Sequence, residues 1–151
     1  MKKPSTDFQI EPNKMSSLLD LDYTPPIHTN LIGIIPHAHY RGESFKYEIE
    51  LIKSGRKIEI LKIPRFRFDY QSMYYFSKQY YIDLPIKIHV TAIYNNSIYN
   101  PFNPNPQQLI KWGPQSFEEM FQTTFVFASK NSLNNNTSEL VPEVTMSSLF
   151  R

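Results

Sequence analysis

The sequence predicts an all-β protein, an antiparallel, jelly-roll-like β-sandwich, and two observations lead to this fold class. The first is composition: the 151 residues include 10 Tyr, 11 Phe and 12 Pro but only 4 Gly. Aromatic and β-branched residues favour strands, and frequent prolines interrupt helices. The second is the recurrence of short alternating segments separated by turn residues, which is typical of β-sandwiches. A chain of this length is long enough to bury one substantial core.

The first half of the chain contains a short apolar segment and a hairpin. Residues 31–35 form a continuous apolar run, which predicts a buried strand leading directly into Pro36-His37-Ala38-His39. Residues 45–51 then alternate between apolar and polar, which predicts a strand with one buried face. Ser54-Gly55 predicts the turn of a hairpin, and residues 57–63 form its return strand.

The second half contributes three further strands and a long loop. Residues 73–82 are aromatic and favour a strand, and residues 86–94 alternate again, with Ile86, Ile88, Val90 and Ala92 on one side. The Asn- and Pro-rich residues 95–108 predict a loop, because no regular element tolerates prolines at that spacing. Residues 121–128 predict a last core strand, with Phe121, Phe125 and Phe127 on one face.

These segments suggest three parts. Residues 1–30 are an N-terminal lead-in segment, in which Pro25-Pro26 imposes an extended backbone. Residues 31–129 are the sandwich. Residues 130–151 are an Asn- and Ser-rich tail, which we expect to be mobile up to Leu140.

Composition also excludes several function classes. The net charge is only +2 and the basic residues are scattered, so the sequence predicts no nucleic-acid partner. There is no cysteine, which excludes disulfides, zinc-thiolate sites and a thiol nucleophile, so a bound metal would need His, Met or carboxylate ligands. The N-terminus lacks the apolar core of a secretory signal, and the longest apolar run is too short for a membrane span. These observations do not determine the cellular compartment of the protein.

His37 and His39 are the first candidate metal ligands. On a strand, residues i and i+2 point to the same face, about 7 Å apart, so two imidazoles can converge on one ion. Imidazole suits copper, zinc, iron and nickel. The alternative is a pair of ordinary surface or hydrogen-bonding histidines. Met120 precedes a predicted strand and is by default core filler, but its thioether would favour Cu(I) over zinc or magnesium.

Three segments together carry a family resemblance: LIGIIPHAHYRGESFKY at 31–47, VTAIYNNSIYNPFNPNPQQLIKWG at 90–113, and QSFEEMFQTTFVFA at 115–128. In their order and spacing they resemble the C-terminal domain of the copper type II ascorbate-dependent monooxygenases, the family of the peptidylglycine and dopamine hydroxylases, and most of all its bacterial branch. The resemblance covers about residues 31–129. It implies that His37, His39 and Met120 bind copper. It also implies that the protein uses this copper, dioxygen and a reductant such as ascorbate to hydroxylate a C–H bond of a small-molecule substrate.

The sequence departs from this family in two respects. The full enzymes have a preceding domain with a three-histidine copper site that supplies electrons, whereas only His28 and His89 remain here. We therefore expect a fragment, a split gene product, or a subunit that works with an electron-donating partner. Relatives are generally exported, whereas this N-terminus has no secretory signal. This difference agrees better with a fragment than with a cytoplasmic enzyme. Peptide-amidating members also have an arginine where this chain has Ile35 and a tyrosine where it has Thr124, which argues against a glycine-extended peptide as substrate.

For the other residues in these motifs we expect structural or surface roles. We expect Arg41 to be a surface charge, with support of the metal site as the alternative, and Gly42 to permit a tight turn. The Trp112-Gly113 pair is a structural marker that seats the methionine segment, and we expect Trp112 to pack in the core. His28 and His89 are expected to be surface or hydrogen-bonding residues. Asp69, Glu118 and Glu119 receive no acid or base role.

Two functions from different classes follow. One is the oxygen-activating half of a copper monooxygenase, which is an enzyme by resemblance but incomplete as an isolated chain. The other is a non-catalytic copper-binding or structural β-sandwich that has lost the electron-donating domain. A metal-free interaction module, using the Asn/Pro loop and surface aromatics, is a third alternative, but it leaves the resemblance unexplained.

Overall fold

A computed structural model describes residues 1–129 and 143–150, and these residues are almost entirely β-structure. Eleven strands and one short helix occur within the described ranges. In chain order they are β1 (Lys2–Ser5), β2 (Gln9–Ile10), β3 (Ser17–Tyr23), β4 (Thr29–His37), β5 (Gly42–Leu51), β6 (Arg56–Ile63), β7 (Tyr74–Tyr81), β8 (Ile86–Tyr94), β9 (Ile110–Lys111), β10 (Phe121–Ser129), β11 (Glu143–Thr145) and α1 (Met146–Leu149).

Two main sheets form the molecule. One is five-stranded in the order β1-β10-β4-β7-β11, the other is four-stranded in the order β3-β8-β5-β6, and β2 pairs with β9 in a small ribbon. Neighbouring strands are antiparallel, except that β11 runs parallel to β7. The predicted all-β, antiparallel sandwich is therefore confirmed, while its jelly-roll character stays a prediction.

The core lies between the two main sheets and follows from the alternation of the strands. In β8 every second residue from Ile86 to Tyr94 is buried, and in β5 the buried positions include Phe45, Tyr47 and Ile49. Burying a large apolar side chain contributes about 1.5–3 kcal/mol to folding. Rings from opposite sheets meet, with Tyr23 stacked on Phe125 at 4.7 Å between centroids.

Most predicted elements are confirmed. The hairpin of β5 and β6 turns at Ser54-Gly55, where Gly55 has φ +67°, a conformation that favours glycine. Strand β8 has the predicted bounds, and residues 95–109 form turns and bends rather than a strand or helix. On β10, Phe121 and Phe125 are fully buried, while Phe127 packs partly buried against the core beyond a register shift.

The segments on either side of residues 31–129 contribute to the sheets. The lead-in segment provides β1 to β3, with β1 paired to β10 and β3 paired to β8. Its apolar residues Leu19 and Leu21 pack partly buried against the core. Of the tail, residues 143–150 dock on β7 and bury Met146 completely. The mobility predicted up to Leu140 concerns residues 130–140, which lie outside the described residues.

No helix in the described parts of the chain has the length and apolar character that crossing a membrane requires.

Candidate metal centre

The predicted metal ligands lie together at one end of the sandwich. Strand β4 ends at His37, His39 follows in the connection to β5, and Met120 directly precedes β10. Strands β4 and β10 are antiparallel neighbours with Gln122 opposite His37, so the start of β10 adjoins the end of β4. The sheet register is therefore what brings Met120 to the histidines, although it lies 83 residues after His37 in the sequence.

His37 lies between an amide and a thioether. Its Nδ1 is 2.6 Å from Oε1 of Gln71, in the connection between β6 and β7. Its Nε2 is 3.3 Å from Sδ of Met120. The amide of Gln71 is itself oriented, because its Nε2 donates to the carbonyl of Phe68 at 2.9 Å. One ring nitrogen of His37 is thus engaged, and the other faces the methionine sulfur.

His39 completes the predicted set. Its ring centroid lies 5.3 Å from that of His37, with the two planes perpendicular. The side chain is only 4% exposed, and its Nδ1 is buried with no hydrogen-bond partner among the described residues. The edge of the ring faces Phe68, with 5.9 Å between the centroids. Burial, together with the neighbouring His37, lowers the pKa of His39. We expected His37 and His39 to lie on one strand. This expectation is wrong for His39, because β4 ends at His37 and His39 lies in the connection to β5.

Glu119 ties the two ligand-bearing segments together, a role that the sequence did not assign. Its fully buried carboxylate accepts hydrogen bonds from the backbone N–H groups of His39 and Met120 through one oxygen, and from that of Arg41 through the other at 3.0 Å. Burial raises the pKa of Glu119 to about 7, although the three N–H groups and Arg41 act in the opposite direction. The one available signal was its position directly before Met120.

Arg41 was expected on the surface, and that expectation is wrong. The side chain is fully buried. Its guanidinium donates to Oδ1 of Asn96 at 2.9 Å and to the carbonyl of Phe117 at 2.9 Å, and its charge is attracted to Glu119. A buried guanidinium is tolerated because it has these acceptors and a carboxylate nearby. Arg41 therefore anchors the connection that carries His39, which is the alternative role considered for it.

The tryptophan of the motifs acts differently from expectation, whereas the glycine does lie at a tight turn. The N–H of Gly42 donates to the carbonyl of His39 at 3.3 Å, and a Cβ atom at Gly42 would lie 2.5 Å from Cβ of Ala38 and 3.1 Å from a ring carbon of Phe66, so close packing at this turn requires glycine. Trp112 is 39% exposed, so the expected core packing is wrong. Its backbone, however, bridges to Glu119, and the N–H of Gly113 donates to the carbonyl of Glu119 at 3.1 Å. The pair does seat the methionine segment.

The remaining histidines lie elsewhere and are hydrogen-bonded, as predicted. His28 contacts the hydroxyl of Tyr81 at 3.2 Å. His89, on the outer face of the four-stranded sheet, lies between the carboxylates of Asp22 at 2.6 Å and Glu50 at 2.5 Å. Asp69, which received no role, forms an exposed ion pair with Arg67.

The chemistry of the donor set fits a soft monovalent cation. Within residues 1–129 and 143–150, no three His, Asp or Glu side chains are grouped to hold a metal ion. The set formed by His37, His39 and Met120 instead combines two imidazoles with one thioether. That combination suits copper, above all Cu(I), better than zinc or magnesium.

No protein-family model matches this chain, and no curated protein matches it either.

Proposed function

We propose that this protein binds one copper ion through His37, His39 and Met120, and that it is the oxygen-activating half of a copper-dependent monooxygenase. The observation that carries the proposal is the convergence of these side chains from two distant segments, with 3.3 Å from His37 Nε2 to Met120 Sδ and 5.3 Å between the imidazole centroids. The sequence resemblance to the copper type II ascorbate-dependent monooxygenases supports the enzymatic part.

The arrangement has features of a prepared metal site. His39 Nδ1 is a buried polar atom without a partner among the described residues, a costly arrangement unless a ligand compensates it. Gln71 engages Nδ1 of His37 and leaves Nε2 directed at Met120. Hydrogen bonds of this kind fix the orientation of metal-binding histidines. Glu119 holds the backbones of His39 and Met120 in register.

When bound, copper would supply the activation of dioxygen for attack on a substrate C–H bond. The chain itself would provide the binding surface beside the ion. Ile35 lies two residues before His37, on the same face of β4, and its cross-strand partner on β10 is Thr124. Both side chains are uncharged, so the surface next to His37 favours a small, uncharged part of a substrate over a carboxylate group.

Turnover requires electrons from outside the described site. The two other histidines, His28 and His89, are engaged with Tyr81 and with carboxylates respectively, away from the candidate centre. They do not form a second copper site with each other. The proposed enzyme therefore depends on a reductant such as ascorbate and on an electron-donating copper domain or partner chain.

The second candidate is a copper-binding or structural sandwich without turnover. The lack of a second histidine cluster among the described residues favours it. Both candidates predict a folded β-sandwich, and copper binding without oxygen consumption distinguishes the non-catalytic module.

Anaerobic Cu(I) titration of the full chain against a competing chromophoric chelator tests the proposal. We expect about one tightly bound Cu(I) per chain, and at least a tenfold loss of affinity in each of His37→Ala, His39→Ala and Met120→Ala. His28→Ala and Met15→Ala are matched controls, because Met15 is 57% exposed and His28 is engaged with Tyr81. Absence of saturable binding, or equal losses in the controls, would contradict the proposed site.

Oxygen consumption by the copper-loaded protein, with ascorbate and a set of small uncharged substrates, then tests catalysis separately. Substrate-dependent consumption that disappears in Met120→Ala supports the monooxygenase. Tight copper binding without such consumption, also after a soluble electron donor is added, supports the non-catalytic module.

A further inference from the structure

A cleft of about 720 Å³ lies beside the candidate metal centre but does not include its ligands. It is formed by the connection after His39, the segment between β6 and β7, and the Asn/Pro loop. Five aromatic side chains line it: Tyr40, Phe66, Phe68, Tyr99 and Phe102. This volume is in the range of small-molecule sites, which are mostly apolar with a few polar groups.

Two of these rings face solvent on a loop whose backbone is held by hydrogen bonds. Tyr99 is 71% exposed and Phe102 is 64% exposed. The loop that carries them is fixed by its asparagines: Asn100 donates to the carbonyls of Tyr40 and Asn95, at 3.0 and 2.9 Å, and accepts from the N–H of Phe102 at 3.0 Å. Exposed large aromatics on a fixed loop are pre-organised for contact with a ligand, because binding does not require the loop to be ordered first.

The charged residues around the cleft are balanced. Arg65 and Arg67 line it together with Glu43 and Asp69. Both carboxylate oxygens of Asp69 are already taken by Arg67, at 2.9 and 2.5 Å. Neither Arg65 nor Glu43 forms a salt bridge with a described residue. An acidic substituent of a ligand can therefore pair with Arg65, and the lining charges do not by themselves exclude a basic one.

We propose that this cleft is a second binding site, for a small planar aromatic compound. Its ring would stack on the side chains of Tyr99 and Phe102, and an acidic substituent would pair with Arg65. The site is separate from the copper ligands, because the ring of Phe68 contacts both His39, at 5.9 Å, and Tyr40, at 4.8 Å, and stands between the centre and the cleft. The proposal is independent of copper binding.

The test uses the full, metal-free chain with 2-naphthoate as the probe, measured by isothermal titration and by shifts of the backbone amide NMR signals. Tyr99→Ala and Phe102→Ala should weaken binding about threefold to tenfold, the effect expected for loss of one aromatic contact. Ile98→Ala is the matched control, since Ile98 is 70% exposed on the same loop and does not line the cleft. Arg65→Gln should weaken the binding of 2-naphthoate but leave the binding of 2-naphthol unchanged, because 2-naphthol has no carboxylate.

Two analogues test the chemistry of the ligand. Decalin-2-carboxylate has the charge without the aromatic ring and should bind more weakly than 2-naphthoate. By contrast, 2-naphthylmethylammonium has the ring with the opposite charge and should still bind, because Glu43 also lines the cleft. The proposal is overturned if 2-naphthoate does not saturate, if its shifts lie outside residues 40–43, 64–69 and 95–102, if decalin-2-carboxylate binds equally well, or if Ile98→Ala has the same effect as Phe102→Ala.

Discussion

Gln71 Oε1 lies 2.6 Å from Nδ1 of His37, and the amide nitrogen of the same side chain donates to the carbonyl of Phe68. The second bond fixes which end of the amide faces the histidine. An amide oxygen can only accept, so Nδ1 of His37 carries the proton and Nε2, which faces Met120, has the free lone pair. Gln71 is thus a positioning residue for the proposed ligand His37.

We therefore predict that Gln71→Met releases His37 from this tautomer and lowers the affinity for Cu(I) about 10- to 100-fold. This is the usual effect of removing a hydrogen-bond partner of a metal-binding histidine. Gln71→Glu retains an acceptor and should recover most of the affinity. The ¹⁵N shifts of the His37 ring in metal-free protein report the tautomer directly and would not respond to a merely structural defect. The exposed Gln107→Met serves as control. An unchanged His37 tautomer in Gln71→Met would refute the role.

Arg41 provides a second prediction, on stability. Arg41→Met removes one of the two donors to Asn96 Oδ1, leaves the carbonyl of Phe117 without its guanidinium donor and leaves Glu119 without its nearby cation. Breaking a buried charged arrangement typically costs about 3–5 kcal/mol. Arg41→Lys should restore little of this, because an ammonium cannot reproduce the planar donor geometry.

Urea denaturation measures the free energy of unfolding for these variants. Arg67→Met is the comparison, because Arg67 and Asp69 form an exposed pair with both side chains 60% accessible. Such a pair contributes less than about 1 kcal/mol. Similar losses in Arg41→Met and Arg67→Met would mean that burial does not make Arg41 structurally essential.

The alternation of residues predicted the sandwich well, because a period of two reports directly which strand face is buried. It predicted β8 completely and the hairpin of β5 and β6 closely. It did not predict that Arg41 and Glu119 are buried, because their burial depends on mutual compensation between segments that are 78 residues apart. Trp112 was misplaced for a related reason: hydrophobicity indicated a core residue, whereas its backbone, not its ring, is what positions the methionine segment.

The cluster around His89 leads to a pH-dependent prediction. The hydrogen bond from His89 lowers the pKa of Glu50, with a further contribution from Lys57. Burial acts to raise the pKa of Asp22, but the contacts with His89 and Lys87 outweigh it, so that this pKa is lowered too. A lowered carboxyl pKa stabilises the fold above the ordinary value of the group, and this contribution is lost as the pH falls through the lowered pKa.

His89→Gln should therefore destabilise the protein more at about pH 6 than at about pH 3, because the contribution of the lowered pKa values decreases as the pH falls below the ordinary range of a carboxyl group. Urea denaturation across this range measures the difference. His28→Gln is the control, because His28 contacts Tyr81 rather than a carboxylate. A loss in His89→Gln that is the same at both pH values would show that the two carboxylates are not responsible for it.

Met146 makes the C-terminal segment part of the core, and this is the last prediction. Helix α1 spans only Met146–Leu149, too short to be stable alone, so its position depends on tertiary contacts. Met146 is fully buried, Ser147 donates its backbone N–H to Asp83 at 3.0 Å, and the guanidinium of Arg56 lies 5.8 Å from the centre of the Phe150 ring.

Met146→Ala should lower the free energy of unfolding, measured by urea denaturation, by about 2–5 kcal/mol, whereas Met146→Leu should lower it by less than about 1.5 kcal/mol. Met15→Ala, at an exposed methionine, should change stability by no more than about 0.5 kcal/mol. If Met146→Ala were equally harmless, the docking of residues 143–150 on β7 would contribute nothing to the stability of the sandwich.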